Sequence, residues 1–235
     1  GTSAAVTVAL LGALDALTPG WLTPHEVARA AQRVETEMLG RQCGIQDQMA
    51  SAYGGINFIE MFEYPHASVS PVLVPEPIWW EFERRLVLVY LGRSHDSSAI
   101  HEEVIRTLQD AGPDSRAIAD LRRPAAHSRD ALYAGDFPAL GRSMTESTEA
   151  QARLHSALIG TEARQVIEIA KAHGALGWKV NGAGGEGGSL TLLCGESSER
   201  KRVLIRDIEQ SSEAFRRIPI YLSRNGLRVW RQDLG

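Results

Sequence analysis

The order of elements legible in these 235 residues predicts an α+β protein. Three observations carry the prediction. The front of the chain is helical, "RLVLVYLG" (residues 85–92) is a strongly apolar strand, and the C-terminal half runs helices, strand, strand, helix, strand. That order suits a small antiparallel sheet with helices packed on one face.

Each element has a local reason. Thr2 and Ser3 are residue types that cap helices, and Ala4 to Leu17 follows with good helix formers that are apolar nearly all round, the pattern of a buried helix. Thr23-Pro24-His25-Glu26 reads as a cap, a proline at the first helical position and an acid at the third, opening a helix to about Leu39 that Gly40 stops. "RQCGIQDQMASAYGG" is a loop leading into a short helix that ends at Gly54-Gly55, and "INFIEMF" and "ASVSPVLV" read as strands. Pro75 and Pro77 mark a break. After the apolar strand, Asp96 and Ser97 cap a helical region that runs to about His173 with breaks near Gly112-Pro113, Gly135-Asp136 and Gly160. Two glycine-flanked strands follow, then a charged helix from about Ser198 to Phe215. Last comes "IPIYLSRNGLRVW", whose Asn225-Gly226 is a strong hairpin turn signal.

Composition narrows the function classes. A 43% hydrophobic content suits one large domain or two small ones. A net charge of -4, from 25 basic and 29 acidic residues mixed along the chain, gives no electrostatic case for a nucleic acid or an anionic membrane as partner. The apolar stretch Ala4 to Leu14 is too short to span a bilayer and has no charged segment before it, unlike a signal peptide. Cys43 and Cys194 are far apart and form no metal-ligand spacing, so a reducing cytoplasm is the simplest expectation.

"KVNGAGGEGGSLTLL" contains a literal G-x-G-x-x-G at Gly182, Gly184 and Gly187. A dinucleotide fingerprint needs a helix after the glycines, and here a β-prone run follows. The stretch is strand, glycine loop, strand: either a sharp connection or a backbone that approaches another surface or a phosphate closely. Gly1-Thr2-Ser3-Ala4-Ala5 opens a helix, where free N–H groups and the positive dipole end favour an anion. Asp47 stands at a loop-to-helix junction and reads as a helix cap or as a catalytic acid. Glu35, twelve residues upstream, reads as part of a solvated face beside Glu37 or as a metal ligand. Together the three places supply what phosphoryl transfer needs: a phosphate-cradling backbone, oxygen ligands for magnesium, and a carboxylate near the attacking hydroxyl.

"GTSAAVTVALLGAL" resembles the end of the phosphate-binding motif of the GHMP kinases, "CGIQDQ" their catalytic-aspartate loop, and "KVNGAGGEGG" their C-terminal glycine motif, in the family's order. Within that superfamily "VETEMLG…QDQMASAYGGIN", "LVLVYLGRSHDSSAI" and "ALGWKVNGAGGEGG" are most similar to the bacterial heptose-7-phosphate kinases and their sugar-kinase relatives. The resemblance implies a two-domain fold. A ribosomal-S5-type domain would end near residue 75, and a ferredoxin-like domain would occupy 76–235. It also implies ATP and Mg2+ as cofactors, with a homodimer compatible, and a sugar or sugar phosphate as the acceptor, at the anomeric hydroxyl. The alternatives are a galactokinase- or fucokinase-like enzyme and an inactive binding protein or fragment.

By the same resemblance Gly1, Thr2, Ser3, Ala4 and Ala5 hold nucleotide phosphate. Ser3 and Glu35 bind magnesium, and Asp47 is the base or orienting group. Arg41, Gln46, Arg93, Lys179, Gly182 and Gly184 face the substrate, the three cations being candidates for its phosphate. The family's first motif and the first half of its phosphate loop fall N-terminal to Gly1, about a hundred residues by the family's usual length, and Glu186 stands where the family usually has another glycine.

Overall fold

The computed structural model describes residues 1–18, 21–92, 104–106, 108, 115–182, 184–185 and 187–230. The chain divides into two compact units, Gly1–Leu73 together with the segment from Leu222 on, and Val74–Tyr221.

The first unit packs three helices and a hairpin: α1 (Thr2–Asp15), α2 (Pro24–Arg33), α3 (Gln46–Tyr53), and strands β1 (Asn57–Glu63) and β2 (His66–Pro71), paired antiparallel from Asn57 opposite Pro71. α2 starts as its sequence dictates. Thr23 accepts from the Glu26 backbone, the Glu26 carboxylate takes the Thr23 N–H in return, and Pro24 sits where no donor is missed. The core is Val8 from α1, Val27, Ala28 and Ala31 from α2, and Ile45, Met49 and Ala52 from the loop and α3. Small residues on α2 let the helices approach.

Two expectations are corrected here. α1 is not buried all round: it packs through Ala4, Val8 and Gly12 and leaves Val6, Leu10 and Leu14 exposed, because α2 and α3 cover only one of its faces. Asn225-Gly226 does not turn a hairpin. Residues 219–230 form no strand. The segment runs across the end of α3, with Gly55 N donating to Ser223 O and Leu227 N to Ala52 O. A Cβ at Gly226 would stand 2.1 Å from Ala52 O, so this glycine serves a close backbone approach.

The second unit opens with α4 (Glu76–Arg85) and holds a four-stranded antiparallel sheet in the order β4 (Gly177–Val180), β5 (Ser189–Leu193), β3 (Leu86–Tyr90), β6 (Arg216–Ile218). Val87, Val89, Leu190, Leu192 and Val180 bury one face against α7 (Thr161–Ala172) and α8 (Ser198–Ser211). α5 (Arg116–Ala134) and α6 (Phe137–Leu154) form a helical pair, with Gly135 in the left-handed region after α5 and Asp136 capping α6. α6 lies against β4 at the sheet edge. Arg85 joins α4 to α6: its guanidinium is buried, 2.6 Å from Glu81 Oε1, and stands over the Phe137 ring at 4.5 Å. Asp96, Ser97 and Gly112-Pro113 lie outside the described residues. Among the described residues no helix is long and apolar enough to cross a membrane.

Candidate active site

In the first unit the polar residues gather around the loop between α2 and α3. α2 does not end cleanly: Val34–Met38 widens into a π-turn, closed by Leu39 N donating to Val34 O, and Arg41 N donates to Glu35 O. Such widened turns recur at functional sites. Glu35 is buried, 6% exposed, whereas Glu37 stays in solvent with Arg33. The solvated-face alternative for Glu35 is therefore excluded.

The Glu35 carboxylate takes its contacts from neutral groups. Gln48 Nε2 lies 3.3 Å from Oε1, and the Cys43 thiol is a further hydrogen-bonding neighbour. Burial first, then Glu35, push the Cys43 thiol up, with Asp47 adding a little. The Gln48 amide has a second satisfying orientation, donating to Gly44 O at 3.2 Å and Ile45 O at 3.3 Å, which turns its oxygen toward Glu35. A buried carboxylate with only neutral partners fits a divalent cation. Among the described residues no three His, Cys, Asp or Glu side chains converge on one point. Magnesium needs no such cage, since one or two carboxylates with phosphate and water suffice.

Asp47 is the second residue of α3, whose N-cap is Ile45 without a side-chain cap, so the helix-cap alternative also falls. Its carboxylate is half-exposed and stands beside Gly1, where α1 begins: a Cβ on that glycine would lie 3.8 Å from the carboxyl group. Among the described residues no side chain caps that end of α1 and no acid stands in its first turn, and a helix N-terminus favours an anion. Ser3 is exposed in this turn. The structure thus brings Asp47 to the start of α1 and Glu35 against Gln48, the residue after Asp47 on α3. Arg41 is exposed in the loop before α3, and Gln46 is exposed at the first position of α3.

Tyr64 was not among the sequence candidates. Its hydroxyl donates to Cys43 O at 3.0 Å and accepts from Gln32 Nε2 at 2.7 Å, tying the loop to α2. A tyrosine in a β-turn carries no local signal for such a contact.

In the second unit the glycine loop joins β4 to β5. Gly182, Gly184, Gly185, Gly187 and Gly188 all have positive φ. Gly185 N donates to Leu158 O at 3.3 Å, and Leu91 N donates to Gly188 O. Lys179 is not a free cation: Nζ donates to Gln151 Oε1 at 2.7 Å and to Val180 O at 2.5 Å, and burial pulls its value down to about 8. Arg93 and Glu186 lie outside the described residues.

The family model for the GHMP kinases N terminal domain matches residues 1–55, and that for GHMP kinases C terminal matches 128–206. A D-glycero-alpha-D-manno-heptose 7-phosphate kinase of Campylobacter jejuni is 27% identical over 210 residues, 89% of this chain and 60% of that protein. A bifunctional fucokinase/GDP-fucose pyrophosphorylase of Arabidopsis thaliana is 27% identical over 216 residues, 91% of this chain and 20% of that protein. The crystal structure of a D-glycero-D-manno-heptose 1-phosphate kinase from Bacteriodes thetaiotaomicron superposes with a TM-score of 0.68 at 22% identity, covering 97% of this chain and 63% of that one. Lactococcus lactis galactokinase complexed with galactose gives 0.67 at 18%, covering 96% and 65%. The chain spans less than two thirds of each of these relatives. With the N-terminal model falling in its first unit and the C-terminal model in its second, the chain belongs to the GHMP kinases, a family of enzymes that take phosphate from ATP.

Proposed function

We propose that the chain is the phosphate-transferring part of a magnesium-dependent sugar kinase whose acceptor is the anomeric hydroxyl of a sugar phosphate, with a heptose 7-phosphate as the leading case. The observation that supports this most is Asp47, a half-exposed carboxylate with no capping duty whose carboxyl group would lie 3.8 Å from a Cβ on Gly1, at the anion-attracting end of α1. Phosphoryl transfer asks the protein for position and charge rather than covalent chemistry. The first-turn N–H groups of α1 take nucleotide phosphate oxygens. Asp47 orients the sugar hydroxyl and accepts its proton as the oxygen attacks phosphorus. Ser3 and Glu35 hold magnesium, which when bound offsets the charge of the phosphates. Arg41, exposed in the loop that leads into α3, supplies a cation for the phosphate of the acceptor. The choice of a heptose phosphate follows the activity of the Campylobacter jejuni relative. A fucokinase-like use of a plain sugar is the runner-up, supported by the Arabidopsis relative.

The test is turnover of the intact protein with ATP and magnesium on heptose 7-phosphate, galactose and fucose, for wild type and Asp47→Asn. The phosphorylated heptose is expected to have the highest kcat/KM. Asp47→Asn is expected to lower kcat by about 100- to 10,000-fold, with nucleotide affinity nearly intact. Wild-type turnover in the variant removes Asp47 from the chemistry, and a preference for a plain sugar moves the assignment to the runner-up. Nucleotide binding without turnover on any acceptor identifies a binding protein.

A further inference from the structure

β4 ends its sheet, so its outer backbone groups face no strand, and an edge left bare invites foreign pairing. Side chains of α6 take that place. Thr148 Oγ1 donates to Trp178 O at 3.1 Å and accepts from Val180 N at 3.3 Å. Gln151, one turn further along α6, reaches past the end of the strand: its Nε2 donates to Gly182 O at 2.6 Å, and its Oε1 accepts from Lys179 Nζ at 2.7 Å. The helix can come this near because it meets the strand backbone to backbone: a Cβ on Gly177 would stand 1.9 Å from Gly141 O.

The two side chains depend on one another. An ammonium only donates, so Lys179 admits the oxygen end of the Gln151 amide and no other. That orientation aims the nitrogen at Gly182 O. Replace the ammonium by an apolar group and the amide loses its reason to choose, and a flipped amide sets oxygen against oxygen at Gly182. The loop beyond is rich in glycine with positive φ, and such a backbone has little conformational preference of its own. The direction in which it leaves β4 therefore has to be imposed from outside.

We infer that Lys179 and Gln151 are positioning residues which together fix the carbonyl of Gly182 and so set the path of the glycine loop. The catalytic consequence rests on the reading that this loop serves phosphoryl transfer.

The intact protein is compared with Lys179→Met, Gln151→Ala, Gln151→Glu and the double variant Lys179→Met/Gln151→Ala. Gln151→Glu keeps an acceptor for Lys179 but puts an oxygen where Gly182 needs a donor. Amide hydrogen exchange is read at Asn181 and Gly185, whose N–H groups bond Ser189 O and Leu158 O, and at Leu192 in the sheet as a control. Each single variant is expected to speed exchange at the two loop amides by about ten-fold, the effect of one lost hydrogen bond, with Leu192 unchanged. The double variant is expected to be no worse than the more affected single one, because the pair acts as a unit. In the same variants kcat is expected to fall about ten-fold with the nucleotide KM within about two-fold, a split that general destabilisation does not produce. Unchanged exchange at Asn181 and Gly185 overturns the inference, as does additive loss in the double variant. Faster loop exchange with unaltered kcat overturns the catalytic role. A wild type without kinase activity refutes the proposed function instead, and the exchange comparison then supports or overturns the strut by itself.

Discussion

Gly182 and Gly184 share a left-handed backbone, φ +62° at each, yet alanine at the two positions is expected to have very different costs. At Gly182 nothing lies within 4 Å of an added Cβ, so the penalty is the left-handed conformation alone, about 1 kcal/mol. At Gly184 the same Cβ would stand 1.7 Å from Leu158 O, well inside the 3.0 Å below which something must shift. The atom it meets is a backbone carbonyl that already accepts Gly185 N, so no flexible side chain can yield. The contact is seen again from the other side, where a Cβ on Gly160 would stand 2.2 Å from Gly185 O. Separating loop and turn by more than an ångström adds about 1–3 kcal/mol of overpacking, so Gly184→Ala is expected to cost about 3 kcal/mol in all. Urea denaturation followed by far-ultraviolet dichroism, with thermal melts in parallel, measures both. Expected shifts in Tm are about 3 °C for Gly182→Ala and about 9 °C for Gly184→Ala. Equal losses at the two positions, or a loss below about 1 kcal/mol at Gly184, refute the close approach of the loop to the Leu158 turn.

Two further outcomes concern charge. The Arg84 guanidinium first, and Arg85 after it, hold the Glu81 carboxyl down at about 2. This stabilisation is full above the ordinary carboxylate value of 4.5 and is lost as pH falls through about 2. Glu81→Gln should therefore cost about 1 kcal/mol in urea titrations at pH 7, since solvent screens this part-exposed pair, and nearly nothing at pH 2, and a pH-independent difference refutes the pairing. Lys179 runs the other way. Burial lowers it from 10.5 to about 8, so the folded state carries a penalty below pH 8 that is relieved as pH rises toward 10.5. Between those limits wild type should gain on Lys179→Met by up to roughly 3 kcal/mol, and parallel stability curves refute the buried charge.

Local rules made the regular elements legible. Thr23-Pro24-His25-Glu26 becomes a capping box, and β5 stands where a dinucleotide fold requires a helix. Where the outcome turned on distant partners, the same rules misled. Asn225-Gly226 has the chemistry of a hairpin turn, but a hairpin also needs two strands with a face to bury, and this segment finds its contacts on the end of α3 instead. The apolar residues of α1 are a composition, and composition does not say which faces have neighbours.

The buried polar residues of the first unit carried a signal that periodicity could have caught. On a helix beginning at Pro24, the core face runs Val27, Ala28, Ala31, and the same spacing leads to positions 32 and 35. Those positions hold Gln32 and Glu35, both buried, and buried Gln48 faces them from α3. A polar side chain at a core position costs stability unless something pairs with it. Gln32 answers to Tyr64, and through it to the Cys43 carbonyl, while Gln48 answers to Glu35. Glu35 alone is left with neutral partners for a negative charge. The unmatched charge is thus the last link in a chain of buried polar groups that holds the α2–α3 loop in place. That same loop sets Asp47 against the start of α1, so the groups that locate the proposed metal ligand also locate the proposed base.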